Sequence, residues 1–154
     1  MPNGVTMAQI GPSKGTRGEV MVAEFLEKNG YRVQRNHVFV RERDPKRCSV
    51  DAYLPDLPLA IFVDGRFWHD PEYAAKKWRP HHKVDWTLKA CRNKERDDKV
   101  TAGLNDAGIG VIRIWDDALK GKKRSAETLN ALLGMVRKYK LDSAIAAATY
   151  GERL

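Results

Sequence analysis

The sequence has little cysteine, no long apolar run and fewer acidic than basic residues. Its two cysteines, Cys48 and Cys91, are too few for a disulfide scaffold or a four-cysteine zinc site. The longest apolar run, residues 59–63, is far shorter than a membrane-spanning helix, and the first residues lack a charged-then-apolar export signal. A length of 154 residues suits one domain with one sizeable core. We therefore expect a soluble, cytoplasmic domain that does not associate with membranes.

The basic residues are distributed unevenly along the chain. There are 28 Lys and Arg against 20 Asp and Glu, a formal net charge of +8. Basic residues concentrate in the segments 41–47, 76–99 and 120–124, and such segments are often only solvated faces. In the segment 76–99, however, Trp78, His81 and His82 are interleaved with lysines, a combination that suits bases and phosphates. This distribution favours nucleic acid as the partner.

The hydrophobic pattern predicts an α/β fold with a mixed β-sheet flanked by helices. Helices are expected at 17–29, 84–107 and 125–140, and strands at 31–34, 37–40, 49–54, 59–64 and 111–115. A basic turn is expected around Asp44-Pro45, and residues 65–83 have no clean period and predict a long functional loop. The chain divides into an N-terminal arm (1–16), a core (17–124) and a C-terminal helical segment (125–154) packed on the same domain.

One face of the second long helix is polar where it should be buried. The face carries Trp86, Ala90, Asn93, Asp97, Val100 and Leu104, at spacings of four and three residues. A buried carboxylate is costly without a partner, so Asp97 either has one or is solvated by a slight rotation of the helix.

Two predicted neighbouring strands carry carboxylates. Asp51 interrupts the apolar residues of one strand, and Asp64 ends the next. A lone aspartate at a strand end is more often a turn residue. Together with Arg66, however, the two form Asp-(12 residues)-Asp-x-Arg, close to the Asp…(Asp/Glu)-x-Lys pattern of many nucleases. Carboxylate oxygens are ligands that Mg²⁺ prefers, and a metal with a basic residue can organise water for attack on a phosphodiester.

The segment Ile61-Phe62-Val63-Asp64-Gly65-Arg66-Phe67-Trp68-His69 is more specific, and with it the chain resembles the very-short-patch-repair endonucleases, a branch of the PD-(D/E)xK nucleases. The likeness covers residues 7–121. It includes Met7-Ala8-Gln9-Ile10, Thr16-Arg17-Gly18-Glu19, Val50-Asp51, Asn93-Lys94-Glu95-Arg96-Asp97 and Trp115-Asp116-Asp117-Ala118-Leu119. The resemblance implies a restriction-endonuclease-like nuclease core that hydrolyses double-stranded DNA with Mg²⁺, for which Mn²⁺ can substitute.

The resemblance also implies catalytic roles for individual residues. Asp51 would bind Mg²⁺ directly, together with the backbone carbonyl of Val63. Glu19 would hold a metal-bound water molecule. His69 would activate the attacking water, and Asp97 would orient His69.

Position 64 departs from the family, whose best-known members have histidine where this chain has Asp64. The leaving-group side of the reaction is therefore open, and Asp64 is expected to act as a further metal ligand. A homing-endonuclease branch of the same fold carries a similar Glu-Asp-x-His-Asp set, which this sequence also fits.

Further residues are expected to contact DNA. In the resembling family, aromatic residues at the positions of Phe67 and Trp68 wedge between base pairs, although adjacent aromatics are more often part of a core. Met7 is a candidate second wedge. The other expected DNA contacts are Arg66, Lys76, Lys77, Trp78, Arg79, Asn93 and Arg96. The positions of the family's structural zinc hold Arg66, Pro71, Tyr73 and Asp117, so no zinc is expected.

These expectations define one leading function and two alternatives. The leading function is a monomeric, Mg²⁺-dependent endonuclease that nicks DNA at T:G mismatches. The alternatives are a homing or defence (restriction-type) endonuclease that cuts matched DNA, and a degenerate DNA-binding module. Joint presence of Glu19, Asp51, His69 and Asp97 argues against degeneracy.

Overall fold

The computed structural model describes residues 15–41, 44–77 and 85–152. Five helices, four strands and a short 3₁₀ helix make up these ranges. The helices are α1 (Arg17–Lys28), α2 (Arg66–His69), α3 (Pro71–Lys77), α4 (Trp86–Asp106) and α5 (Lys122–Glu152). The strands are β1 (Gln34–Arg41), β2 (Asp44–Leu54), β3 (Leu59–Asp64) and β4 (Gly110–Trp115), and the 3₁₀ helix is Asp116–Leu119.

The four strands form one mixed sheet in the order β1-β2-β3-β4. Strand β2 is antiparallel to both of its neighbours, β1 and β3, whereas β4 runs parallel to β3. A parallel pair needs a crossover connection, and α2, α3 and α4 supply it between β3 and β4. As a result, the carboxyl end of β3 lies beside the start of α2 and the end of β4.

Both faces of the sheet are covered, which gives the predicted α/β fold with helices flanking a mixed sheet. On one face, α1 and α5 contribute Val22, Leu26, Leu129, Leu132 and Val136 to a core with residues from β2, β3 and β4. On the opposite face, residues of β1, β2 and β3 pack against Leu104 of α4 and Ile109. The alternation of side chains along β3 therefore directs Val63 towards the α1/α5 face and Asp64 towards the α4 face.

Local signals explain where the helices begin and end. Thr16 and Glu19 form a capping box at the start of α1: Glu19 N–H donates to the Thr16 hydroxyl, and Thr16 N–H donates to the Glu19 carboxylate. Gly108 follows α4 with a φ of +80°, a conformation that glycine adopts without strain.

Glycine at position 110 permits close packing of α5 on the sheet. A Cβ atom there would lie 2.5 Å from the Tyr139 ring, whose hydroxyl donates to the Pro58 carbonyl.

The structure differs from several predicted elements. The two strands expected at 31–34 and 37–40 are a single strand, Gln34–Arg41, and residues 31–33 lie outside it. Asn36 takes a left-handed φ of 50° without ending the β1–β2 ladder. Strand β2 begins at Asp44, where a turn was expected, and pairs with β1 from there. Part of the expected loop 65–83 forms α2 and α3, and the last helix extends over Lys122–Glu152. Trp78, Arg79 and residues 1–14 of the N-terminal arm, with Met7, lie outside the described residues.

Candidate active site

The carboxyl end of β3 is the centre of the candidate site. The β2–β3 ladder ends at the pair Ala52 and Ile61. Beyond it, the Asp51 carboxylate accepts a hydrogen bond from the backbone N–H of Val63, with Oδ2 and N 2.7 Å apart. This bond satisfies the Val63 N–H and holds the Asp51 carboxylate at the strand end.

The environment of Asp51 disfavours its ionised form. Burial, together with the nearby carboxylates of Glu19 and Asp64, raises the pKa of Asp51 from 3.8 to about 6. The Val63 hydrogen bond and the Arg113 guanidinium oppose the shift. Three carboxylates thus share a small region in which Arg113 supplies the opposing positive charge. An excess of negative charge of this kind fits a divalent cation held by oxygen ligands.

Glu19 combines a structural contact with a place near the site. Its carboxylate accepts from Thr16 N–H at 3.0 Å and so stabilises the start of α1. Glu19 also lines a groove of about 670 Å³ together with Val63 and Trp68. The capping contact therefore places the carboxylate beside the end of β3.

His69 and Asp97 are brought together by two helices. His69 ends α2 and Asp97 lies in the middle of α4, and His69 Nδ1 is 2.6 Å from Asp97 Oδ2. A second contact joins the same helices, because Asn93 Nδ2 donates to the Trp68 carbonyl at 2.7 Å. The unusual polar positions of α4 thus have partners on α2, and Asp97 is half-buried instead of solvated.

Arg113 is a site residue that the sequence reasoning missed. Its guanidinium donates to Asp64 Oδ2 at 2.9 Å and to the Asp97 carbonyl at 3.1 Å. It also contacts Thr101 and lies 4.3 Å from the Phe62 ring centre. The sequence feature that could have identified Arg113 is its charge within the otherwise apolar strand 110–115, on the face that packs towards α4.

Asp64, His69 and Asp97 form a group whose ligand atoms all lie within 4.8 Å of one another. In the described part of the chain, this group could hold a metal ion. Asp64 also interacts with Asp51, so it belongs to both the Asp51 cluster and the His69 cluster. The two clusters therefore form one continuous acidic site around the end of β3.

Several known proteins are similar to this chain. V.NaeI of Lentzea aerocolonigenes, named a Type II nicking enzyme, is 31% identical over 109 residues, which are 70% of this chain and 64% of the relative. V.NmeAIP of Neisseria meningitidis, also named a Type II nicking enzyme, is 32% identical over 128 residues, 81% of this chain and 85% of the relative. The DNA mismatch endonuclease Vsr of Escherichia coli is 30% identical over 82 residues, 48% of this chain and 53% of the relative. No protein-family model matches the sequence.

The chain belongs to the Vsr-like nicking endonucleases. It is accordingly a DNA endonuclease, and the α/β architecture around its mixed sheet agrees with the restriction-endonuclease-like fold predicted from the sequence. Among its described helices, none has the length and apolar character needed to cross a membrane.

The endonuclease holds Arg66 in an internal cluster. Arg66 Nη1 lies 3.2 Å from Asp117 Oδ2, and the guanidinium lies over the rings of Trp115 and Tyr73 at 5.4 and 5.8 Å. Its backbone N–H donates to the carboxylate of Asp116. The resemblance places the zinc ligands of that family at positions 66, 71, 73 and 117. In this chain Arg66 contacts two of the other three, Tyr73 and Asp117.

The other predicted DNA-contacting residues lie along α2, α3 and α4. Trp68 is 41% exposed, and Lys89 Nζ lies 4.8 Å from its ring centre. Lys76 and Lys77 are exposed on α3, and Arg96 donates to the side chain of Asn93. The Phe67 side chain lies outside the described part of the structure, as do Met7, Trp78 and Arg79. The DNA-contacting roles of all these residues stay predictions.

Proposed function

We propose that this endonuclease uses Mg²⁺ to cut one strand of duplex DNA at T:G mismatches. The observation that carries the proposal is the contact between His69 and Asp97 beside the carboxylates of Asp51 and Asp64. An imidazole oriented by a carboxylate and placed at an acidic, oxygen-rich site suits hydrolysis of a phosphodiester. Similar proteins are named as nicking enzymes and as a mismatch endonuclease, which favours DNA cleavage over other reactions that a histidine and carboxylates can catalyse.

His69 is the proposed general base. Because a carboxylate only accepts hydrogen bonds, Asp97 holds the imidazole with its proton on Nδ1 and leaves the Nε2 lone pair available to a water molecule. Asp97 also stabilises the imidazolium that forms when His69 takes the proton.

Asp51, the backbone carbonyl of Val63 and Asp64 would hold Mg²⁺, with Glu19 holding a water molecule of its hydration shell. When bound, the ion supplies Lewis-acid stabilisation of the charge that develops on the phosphate oxygens. The negative charge that Glu19, Asp51 and Asp64 bring together is what makes these residues suitable for a divalent cation.

Trp68 is the described residue best placed to select a mismatch. Its ring is exposed and lines the same groove as Glu19 and Val63. An aromatic wedge must unstack base pairs, which costs less at a mismatch, so insertion of Phe67 and Trp68 would favour T:G over matched pairs.

A nicking assay tests this proposal. Duplexes that differ only in one T:G or T:A pair, with a different label on each strand, are incubated with Mg²⁺, with Mn²⁺ or with EDTA. We expect one strand of the T:G duplex to be cut, with either metal and not with EDTA. His69→Ala serves as the inactive control for contaminating nucleases.

Matched DNA is the substrate of the second candidate function, a homing or defence endonuclease. The set of Glu19, Asp51, His69 and Asp97 favours this candidate, because a homing-endonuclease branch of the same fold carries a similar set. Asp64 also departs from the histidine of the best-known very-short-patch-repair members. Equal cutting of the T:G and T:A duplexes, or cutting of both strands, would support it and contradict mismatch nicking.

A further inference from the structure

The four basic residues Lys120, Lys122, Lys123 and Arg124, here called the Lys120–Arg124 cluster, have no assigned role. They occupy four of five consecutive positions at the junction between the 3₁₀ helix and α5, and all four are exposed. None of them forms an ion pair with another residue in the described ranges. Their positive charge therefore faces solvent.

The position of the cluster at the start of α5 is unfavourable for the stability of that helix. Lys122, Lys123 and Arg124 form the first turn of α5, which contains no acidic residue. Helix N-termini carry partial positive charge, so basic side chains are unfavourable there and acidic ones are preferred. By contrast, α1 has Glu19 in its first turn. The cluster is thus not explained by stabilisation of its own helix.

The cluster adjoins the groove of the candidate active site. Lys120 and Gly121 line this groove of about 670 Å³ together with Glu19, Val63 and Trp68. Arg17 also lines the groove, and Lys89 lies over the Trp68 ring. The groove therefore has basic residues in its lining, while the carboxylates of Asp51 and Asp64 lie at the end of β3. Such an arrangement suits a polyanionic strand that passes over an acidic, metal-binding centre.

We propose that the Lys120–Arg124 cluster binds the phosphate backbone of the DNA strand that enters the groove. This inference deepens the proposed function, on which it rests. The cluster would act independently of base sequence, because contacts to phosphate oxygens carry no sequence information. It would hold the duplex against the groove that Lys120, Glu19 and Val63 line, and so contribute to affinity.

Two triple variants of equal charge test the inference. The test variant is Lys122→Gln, Lys123→Gln and Arg124→Gln. The matched control is Arg137→Gln, Lys138→Gln and Lys140→Gln, which removes three exposed cations from a later part of the same helix. Binding of a labelled duplex of mixed sequence is measured by fluorescence anisotropy in EDTA over a series of salt concentrations.

The test variant should bind matched and T:G duplexes more weakly by the same factor. The slope of log K against log salt should become shallower by about 0.9 for each phosphate that the variant no longer neutralises. The control should keep the wild-type slope. In cleavage assays with Mg²⁺, the test variant should show a raised KM with kcat unchanged. Its melting temperature should equal or exceed that of the wild type, because unfavourable charge at the start of α5 is removed.

Equal slopes and equal affinities for the test and control variants would overturn the inference. A lowered kcat with unchanged DNA affinity would also overturn it. If the wild type binds duplexes but cuts none of them, the proposed function fails. A shallower salt slope in the test variant, and not in the control, would still support phosphate binding by the Lys120–Arg124 cluster. The two failures are therefore distinguishable.

Discussion

His69 Nδ1 and Asp97 Oδ2 lie 2.6 Å apart, although 28 positions separate the two residues in the sequence. The contact depends on the packing of α2 against α4. The hydrogen bond from Asn93 of α4 to the Trp68 carbonyl of α2 also stabilises this packing. Because both side chains are largely shielded from solvent, the pair is rigid enough to select one tautomer of the imidazole. His69 and Asp97 should therefore behave as one functional unit.

A double-mutant cycle on this unit is the first prediction. His69→Ala and Asp97→Asn should each lower kcat strongly, by about 10²–10⁴-fold as expected for loss of a general base. The double variant should lose little more than His69→Ala, because residues that act as a unit are non-additive. Single-turnover cleavage under Mg²⁺ measures the rates, and Asp98→Asn on the same helix is the control. Losses that multiply in the double variant would show that Asp97 does not serve His69.

The second prediction concerns metal and Asp51. Asp51→Asn should abolish Mg²⁺-dependent cleavage while DNA affinity in EDTA stays close to that of the wild type, because affinity rests on the basic surface. The amide oxygen of asparagine can still accept the Val63 N–H, so the strand end should keep its geometry. Addition of Mg²⁺ should raise the melting temperature of the wild type and not that of the variant. A variant that cuts DNA at the wild-type rate would contradict the assignment of Asp51.

The pH dependence of stability gives the third prediction. Burial raises the folded-state pKa of Asp51 from 3.8 to about 6. The stabilising contribution of the protonated carboxyl is thus fully present below pH 3.8 and is lost as the pH rises through about 6. In EDTA above that pH, Asp51→Asn should be more stable than the wild type, by less than about 3 kcal/mol after allowance for solvent screening. The difference in unfolding free energy between the variant and the wild type should shrink in acid, as measured by denaturant unfolding. A difference that is constant at every pH would show that it does not arise from ionisation of Asp51.

Arg66 is the subject of the fourth prediction, which distinguishes a positioning role from the DNA contact expected from the sequence. Arg66 begins α2, and its ion pair with Asp117 joins that helix to the 3₁₀ helix that follows β4. Arg66→Met should therefore displace His69, with a lowered kcat and a lowered melting temperature. Asp117→Asn should act in the same direction, and the double variant should add little.

The two roles of Arg66 differ in a second measurement. If Arg66 only positions α2, Arg66→Met should leave the salt dependence of DNA binding unchanged. A phosphate contact would instead weaken binding and reduce the salt slope by about 1. Unchanged kcat with a reduced slope would thus restore the DNA contact and exclude the positioning role.

The fifth prediction tests the aromatic wedge. Stacking of a base on an aromatic ring contributes about 1–3 kcal/mol, so replacing Phe67 and Trp68 together by alanine should slow T:G cleavage roughly tenfold or more. The preference for T:G over T:A should disappear as well. Leu88→Ala, which removes another exposed apolar side chain, should change neither.

Thermal melting separates the wedge from a structural role. If the aromatic residues belong to the core, the double variant should melt well below the wild type and lose activity on every substrate equally. A stable variant that still prefers T:G at the wild-type rate would exclude the wedge.

The elements predicted most accurately depend on local patterns. Strand β3 has the predicted bounds because a continuous apolar run ends at a carboxylate and a glycine, and α4 has a long periodic face. Helices α2 and α3 were expected as loop, since helices of four and seven residues are too short to be stable alone and need α4 to pack against. Helix α5 continues beyond 140, where the helix predicted from periodicity ended, within the segment 125–154 that was expected to be helical.

The sequence by itself determined the enzyme class of this protein, through motifs whose residue types and spacing are specific even when their contacts are unknown. It also identified Asp97 as a polar residue in need of a partner. Only the tertiary structure decided that Arg113 joins Asp64 and Asp97, and that Arg66 pairs with Asp117. The physical reason is that such contacts join residues from 16 to 51 positions apart, whose meeting depends on the packing of helices on a completed sheet and leaves no local pattern in the chain.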